Sequence, residues 1–204
     1  MPHNVYTGGH LARDTAISFS SNNSSYLKTR IYESKIKKIG PVLFPPFAGE
    51  RVYMLPFYKN KLLPKSLKHW QSTIDAMLNG IITNEKLYLM IDQGKVIGGQ
   101  THRRAGPHID GNWVEDHKIS TSMYDESLIL ASNIEGCLGY VGKYEDKVAA
   151  DGDCSNCDLS KLEKIRLLAN IAYCGNVTFV HESIPIEYNC KRTLVRINVP
   201  HHKF

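Results

Sequence analysis

The sequence predicts a mainly β protein of the sandwich or barrel type. Two observations carry that expectation. Many short runs rich in β-branched and aromatic residues are split by Gly and Asn, and only two stretches have a helical period. Such punctuation favours antiparallel β architecture over an alternating, parallel α/β sheet. With 204 residues the chain is long enough for one domain with a sizeable core. We expect that domain to span 1–204, with residues 1–60 as an N-terminal extension packed on the core.

Residues 1–38 are rich in Ser, Asn and charge, and 18–25 have no period, which reads as a loop. A proline-punctuated extended piece follows at 40–46, then a strand at 51–55. Leu67, Trp70, Ile74, Met77 and Leu78 recur at helical spacing and predict a helix over 64–79. Pro64 suits its first turn and Asn79-Gly80 its exit. Trp70 belongs to the core face, whereas His69 and Asp75 face solvent. Residues 87–91 and 95–97 read as a hairpin turning at Asp92-Gln93-Gly94. Further strands are expected at 127–131, 136–141, 171–174, 177–180 and 193–199. A second helix is expected over 160–169, where Ser160 and Glu163 have capping-box spacing and Leu162, Ile165 and Leu168 form an apolar face.

The 42% hydrophobic and 22% charged shares are those of an ordinary globular protein. No run approaches the ~20 apolar residues of a membrane span, and the first residues lack a basic segment followed by an apolar one. A cytoplasmic location is expected. The net charge of +5 is concentrated in part at Lys28, Arg30, Lys35, Lys37 and Lys38, and in part at Arg103-Arg104. Such groups form either a solvated face or a surface that attracts anionic substrates. Five irregularly spaced cysteines do not suggest a disulfide framework. Cys154 and Cys157 read as reduced loop thiols. A zinc site there would need Cys137, Cys174, Cys190 or His117 to fold into place.

One stretch carries chemistry: Pro107-His108-Ile109-Asp110-Gly111-Asn112-Trp113. On a strand His108 and Asp110 project together, with Ile109 on the opposite side. Far downstream an apolar run ends in His181, and Arg192 opens the final strand, which also carries Arg196. Taken singly these residues have plainer readings: a turn at Asp110-Gly111, a hydrogen-bonded histidine, an ion-paired arginine. Taken together, two imidazoles and a carboxylate form the facial set that holds a metal and leaves three positions open. His102, Arg103, Arg104, Asn112, Trp113 and Glu182 are neighbours that could contact a substrate, although Trp113 also suits a core. His102, His117, His201 and His202 lack matching partners, and His201-His202 reads as a solvated tail.

The order His-x-Asp, a long gap, His, then Arg about one strand later resembles the Fe(II)/2-oxoglutarate-dependent dioxygenases. The resemblance covers residues 98–200. It implies a double-stranded β-helix, or jelly roll, here with flanking N-terminal helices. It further implies Fe(II) held by His108, Asp110 and His181 as the catalytic group, with 2-oxoglutarate and O2 as cosubstrates and hydroxylation as the outcome. Arg192, with Arg196 as the alternative, would take the distal carboxylate of 2-oxoglutarate, because guanidinium pairs with carboxylate through two parallel hydrogen bonds. The primary substrate is not legible, beyond a tilt toward an anion. Two other classes stay open: a non-catalytic jelly-roll module that binds a ligand or partner, and a cupin-like metalloenzyme without 2-oxoglutarate, in which Arg192 supports the fold.

Overall fold

The computed structural model describes residues 30–110 and 126–204. The loop expected at 18–25, and the candidates Asn112, Trp113 and His117, lie outside the described residues. Within them the chain forms β1 (Ile31–Ser34), β2 (Ile36–Pro41), β3 (Arg51–Phe57), a 3-10 turn (Lys65–Trp70) leading into α1 (Gln71–Met77), β4 (Leu87–Val96), β5 (Ser127–Ser132), β6 (Cys137–Glu145), β7 (Glu163–Arg166), β8 (Ile171–Asn176), β9 (Val180–Ser183) and β10 (Cys190–Val199). The protein is mainly β. No helix among the described residues is long and apolar enough to cross a membrane.

All strand pairs are antiparallel. The larger sheet runs β2-β8-β5-β10-β4-β3; the smaller runs β1-β6-β7, with β9 also on β6. His108 bridges to His181, which adds its stretch to the edge of β9. The pairing is nested from outside in: β4 with β10, the His108 stretch with β9, β5 with β8, β6 with β7. Cross-pairs of β10 with β5 and of β9 with β6 roll that nest into two layers.

A period of two decides which side chains face which layer. Val195, Ile197 and Val199 of β10 join Leu89, Ile91, Ile129 and Cys174 under Trp70, Ile74 and Met77. The helical unit therefore covers one face of the larger sheet. The opposite face meets the smaller sheet through Leu128, Leu130, Cys137, Tyr173 and Phe179. The far side of the smaller sheet buries Ile109, Tyr140 and Val180 against Cys154, Cys157 and Leu162. In β10 the positions between the apolar ones are Arg192, Leu194, Arg196 and Asn198, all buried. Three polar side chains out of four on an interior face mark that region as a site rather than a core.

The helix expected over 64–79 forms, shortened, with Trp70 fully buried and Gly80 leaving at φ +74°. It is a single unit among the described residues. Among the described residues no flanking N-terminal helices are seen, since β1, β2 and β3 are strands built into both sheets. Those first two strands escape sequence reading because polar groups hold them in place. Ser34, fully buried, donates to the Tyr140 carbonyl and accepts from the Val180 amide at 3.0 Å.

Three elements differ from expectation. The hairpin at Asp92-Gln93-Gly94 is instead the middle of β4, paired with β10 along its whole length. Its turn-forming residues are engaged elsewhere: Gln93 accepts from the Ala48 and Glu50 amides at 2.8 and 3.1 Å, and Asp92 accepts from Arg103 at 2.9 Å. The helix at 160–169 is instead β7. Ser160 does not cap, because its hydroxyl and amide both donate to Asp158 Oδ1 at 2.6 and 3.0 Å. Leu167 is buried while Leu168 is exposed. Residues 177–178 form a turn, so His181 lies within β9 rather than at the end of a strand.

Candidate metal centre

His108 and His181 are opposite partners in a hydrogen-bonded antiparallel pair. His108 N–H donates to the His181 carbonyl at 2.9 Å, and His181 N–H returns the bond at 3.0 Å. Directly opposed residues share a face, and the two rings sit with centroids 4.6 Å apart. On its other edge the His108 stretch is fixed by Ile109 N–H to the Gly152 carbonyl and Cys154 N–H to the Pro107 carbonyl, both 2.9 Å. Two residues further on, Asp110 returns to the same face, while Ile109 enters the cluster behind. One ligand atom from each of His108, Asp110 and His181 lies within 4.8 Å of the others. This group could hold a metal ion.

The rings are also turned for that role. His108 Nδ1 lies 2.8 Å from the Gly106 carbonyl and His181 Nδ1 lies 3.3 Å from the Phe179 carbonyl. A carbonyl only accepts, so each Nδ1 carries a proton and each Nε2 is the atom left for a metal. Backbone carbonyls commonly orient metal-ligating histidines in this way. His181 Nε2 stands 3.3 Å from Asp110 Oδ2. Phe179 stacks on the His181 ring at an interplanar angle of 7°.

Burial opposes charge on Asp110, but the hydrogen bond and charge of His181, with Arg196 and His108, outweigh it. The carboxyl is held well below the usual carboxylate range. Burial also pushes the His108 imidazole below its ordinary value, and the neighbouring His181 adds to the shift. An anionic oxygen beside a neutral imidazole is the protonation state that a divalent metal requires. A sign follows for the metal-free protein. The folded state holds His108 neutral at pH values where the unfolded chain is protonated, so stability falls as pH drops below about 6.5. Denaturant midpoints are expected to rise as pH is raised toward about 6.5, and less steeply in His108→Gln.

Met90, Arg103, Arg104, Leu130, Cys137, Ser183, Leu194 and Arg196 close a cavity of about 130 Å³ against the three ligands. Arg196 Nη1 donates to Asp110 Oδ2. Arg104 lies between Asp151 and Asp153, at 3.1 and 3.0 Å. Arg192 shares the β10 face with Leu194 and Arg196, two positions beyond the cavity wall. Its Nε donates to Ser132 at 3.0 Å and its Nη2 to the Cys137 sulfur at 3.2 Å, while Nη1 is buried without a partner. Among the described residues no carboxylate pairs with this fully buried guanidinium.

Glu182 points the other way and accepts from the Tyr140 hydroxyl. His202 is no solvated tail, since its Nδ1 meets the Ser127 hydroxyl at 2.8 Å. Cys154 and Cys157 are buried thiols. Burial, reinforced by the neighbouring Cys157, pushes Cys154 up to about 12, and burial pushes Cys157 upward against its hydrogen bonds; no third ligand gathers round them among the described residues. Sequence reasoning missed Cys137, Ser183 and the Asp92–His102 pair, which only the sheet pairing brings near the site.

Compared with known proteins, the chain matches no family model, no curated protein and no solved structure.

Proposed function

We propose that the chain is an Fe(II)/2-oxoglutarate-dependent oxygenase, of hydroxylase type, on a double-stranded β-helix. The nested pairing supports that fold, since a long hairpin rolled into two four-stranded layers is how a jelly roll is wound. The observation that carries the function is the pairing of two unlike features on one interior surface. One is a two-histidine, one-carboxylate group facing a cavity. The other is a fully buried arginine with no acid partner among the described residues. A two-His, one-carboxylate set is what non-haem Fe(II) oxygenases use and is unlike an all-oxygen calcium shell; catalytic zinc takes the same donors, so the buried arginine is what favours iron with 2-oxoglutarate. An uncompensated buried guanidinium calls for an anion that arrives from outside.

In this reading His108, Asp110 and His181 hold the iron, and Arg192 takes the distal carboxylate of 2-oxoglutarate. When bound, the pair supplies the oxidising chemistry, with 2-oxoglutarate consumed to succinate and CO2. The chain supplies the rest. Arg196 fixes the Asp110 carboxylate, the backbone carbonyls at Gly106 and Phe179 fix the two rings, and Met90, Leu130 and Leu194 limit water in the cavity. Arg103 and Arg104 lie on its lining, but Asp92 pairs with the first and Asp151 and Asp153 with the second, so a tilt toward an anionic primary substrate rests on the net charge of +5.

Iron content and succinate formation test the reading together. An oxygenase retains about one iron per chain and forms succinate from 2-oxoglutarate in air. Metal without succinate would favour the cupin-like alternative, and neither would favour a binding module.

A further inference from the structure

Gly94 stands opposite Arg192 in the β4–β10 pairing, so a side chain at 94 would lie beside Arg192 on the interior face. The His102 ring fills that space instead: a Cβ added to Gly94 would come within 2.5 Å of its Nε2. The His102 side chain is only 7% exposed, and its Nε2 faces Asp92 Oδ1 at 3.6 Å. Both His102 ring nitrogens, Asp92 Oδ1 and Arg192 Nη1 are buried without a hydrogen-bond partner. Asp92 has Arg103 at 2.9 Å and Arg51 at 3.5 Å, whereas the His102 nitrogens and Arg192 Nη1 are buried polar atoms whose desolvation nothing offsets.

What they lack is an acceptor that Arg192 and His102 can share. We propose that His102 is a second donor to the distal carboxylate of the cosubstrate, acting beside Arg192 as a specificity-determining residue. The inference rests on the 2-oxoglutarate reading above and adds a residue to it. An imidazolium donates from both nitrogens, one toward Asp92 and one toward the ligand.

Burial holds His102 below its ordinary value, against the pull of Asp92 and with the help of Arg192, Arg103 and Arg51. An arriving anion reverses that balance, so binding draws a proton onto the ring. Preference for a dicarboxylate therefore weakens as pH rises.

The test is anaerobic calorimetry on Mn(II)-loaded protein with 2-oxoglutarate and with 2-oxobutyrate, which has the same keto-acid end and no distal carboxylate. The ratio of the two affinities is the readout. It cancels both the folded fraction and the titration of the metal ligands. Wild type should prefer 2-oxoglutarate strongly, and His102→Ala should shrink the ratio about 10-fold or more. Gly94→Ala, which displaces the ring and removes no polar group, should shrink it too. His102→Gln, a neutral donor, should restore part of the ratio and abolish its pH dependence. If wild type prefers 2-oxoglutarate and Arg192→Ala loses the preference while His102→Ala and Gly94→Ala keep it, this inference fails and the oxygenase reading stands. If wild type shows no preference, or no binding, both fail.

Discussion

Replacing His181 with alanine is expected to weaken iron binding more than about 100-fold, beyond what loss of a merely supporting partner costs. The change removes one of three donors, and it leaves Asp110 and His108 with a gap where their common neighbour stood. His108→Ala and Asp110→Ala should behave alike. Asp110→Ala carries an added penalty, because Arg196 then loses its carboxylate and becomes an uncompensated, nearly buried charge. Equilibrium dialysis against Fe(II) under anaerobic conditions measures the effect. Wild-type affinity in all three variants would remove the metal centre from the account.

Arg192→Met is expected to change two quantities in opposite directions. Affinity for 2-oxoglutarate should fall by a factor of ~30 or more, the cost of losing one partner of a buried charged pair at roughly 2–5 kcal/mol. The ligand-free protein should keep its stability or gain up to about 4 kcal/mol, because a fully buried guanidinium without an acid partner is replaced by an apolar chain of similar length. Calorimetry and urea unfolding read the two effects. A stability loss with unchanged affinity would mark Arg192 as support for the fold, as the cupin-like alternative has it. Arg196→Met should differ in kind. Its partner is Asp110, so the effect should fall on metal affinity, by about 10–100-fold, and leave cosubstrate selectivity alone.

The legible part of the sequence was the part governed by local pattern. Short β-branched and aromatic runs split by Gly and Asn marked β5, β6, β8 and β10, and the i, i+3, i+4 recurrence of Leu67, Trp70, Ile74 and Met77 marked the helical unit. The period of two along a strand put His108 and Asp110 on one side and Ile109 on the other, and Arg192 with Arg196 on one face of the last strand. Failures came where tertiary partners override local chemistry. Asp92-Gln93-Gly94 has turn composition, yet Gln93 serves as a hydrogen-bond partner for the chain at 48–50 and Gly94 makes room for His102. Ser160 has capping spacing, yet Asp158 captures it first. His102 looked partnerless because its neighbours, Asp92 and Arg192, come from two paired strands, 10 and 90 positions away.

Anaerobic titration of 2-oxoglutarate into the Fe(II)-loaded protein, followed by visible absorption, reports whether iron and cosubstrate meet in the cavity. A weak charge-transfer band is expected that saturates near one equivalent, is absent in His181→Ala, and needs higher 2-oxoglutarate in Arg192→Met. Iron that binds to His108, Asp110 and His181 but yields no band at saturating 2-oxoglutarate would contradict the oxygenase reading.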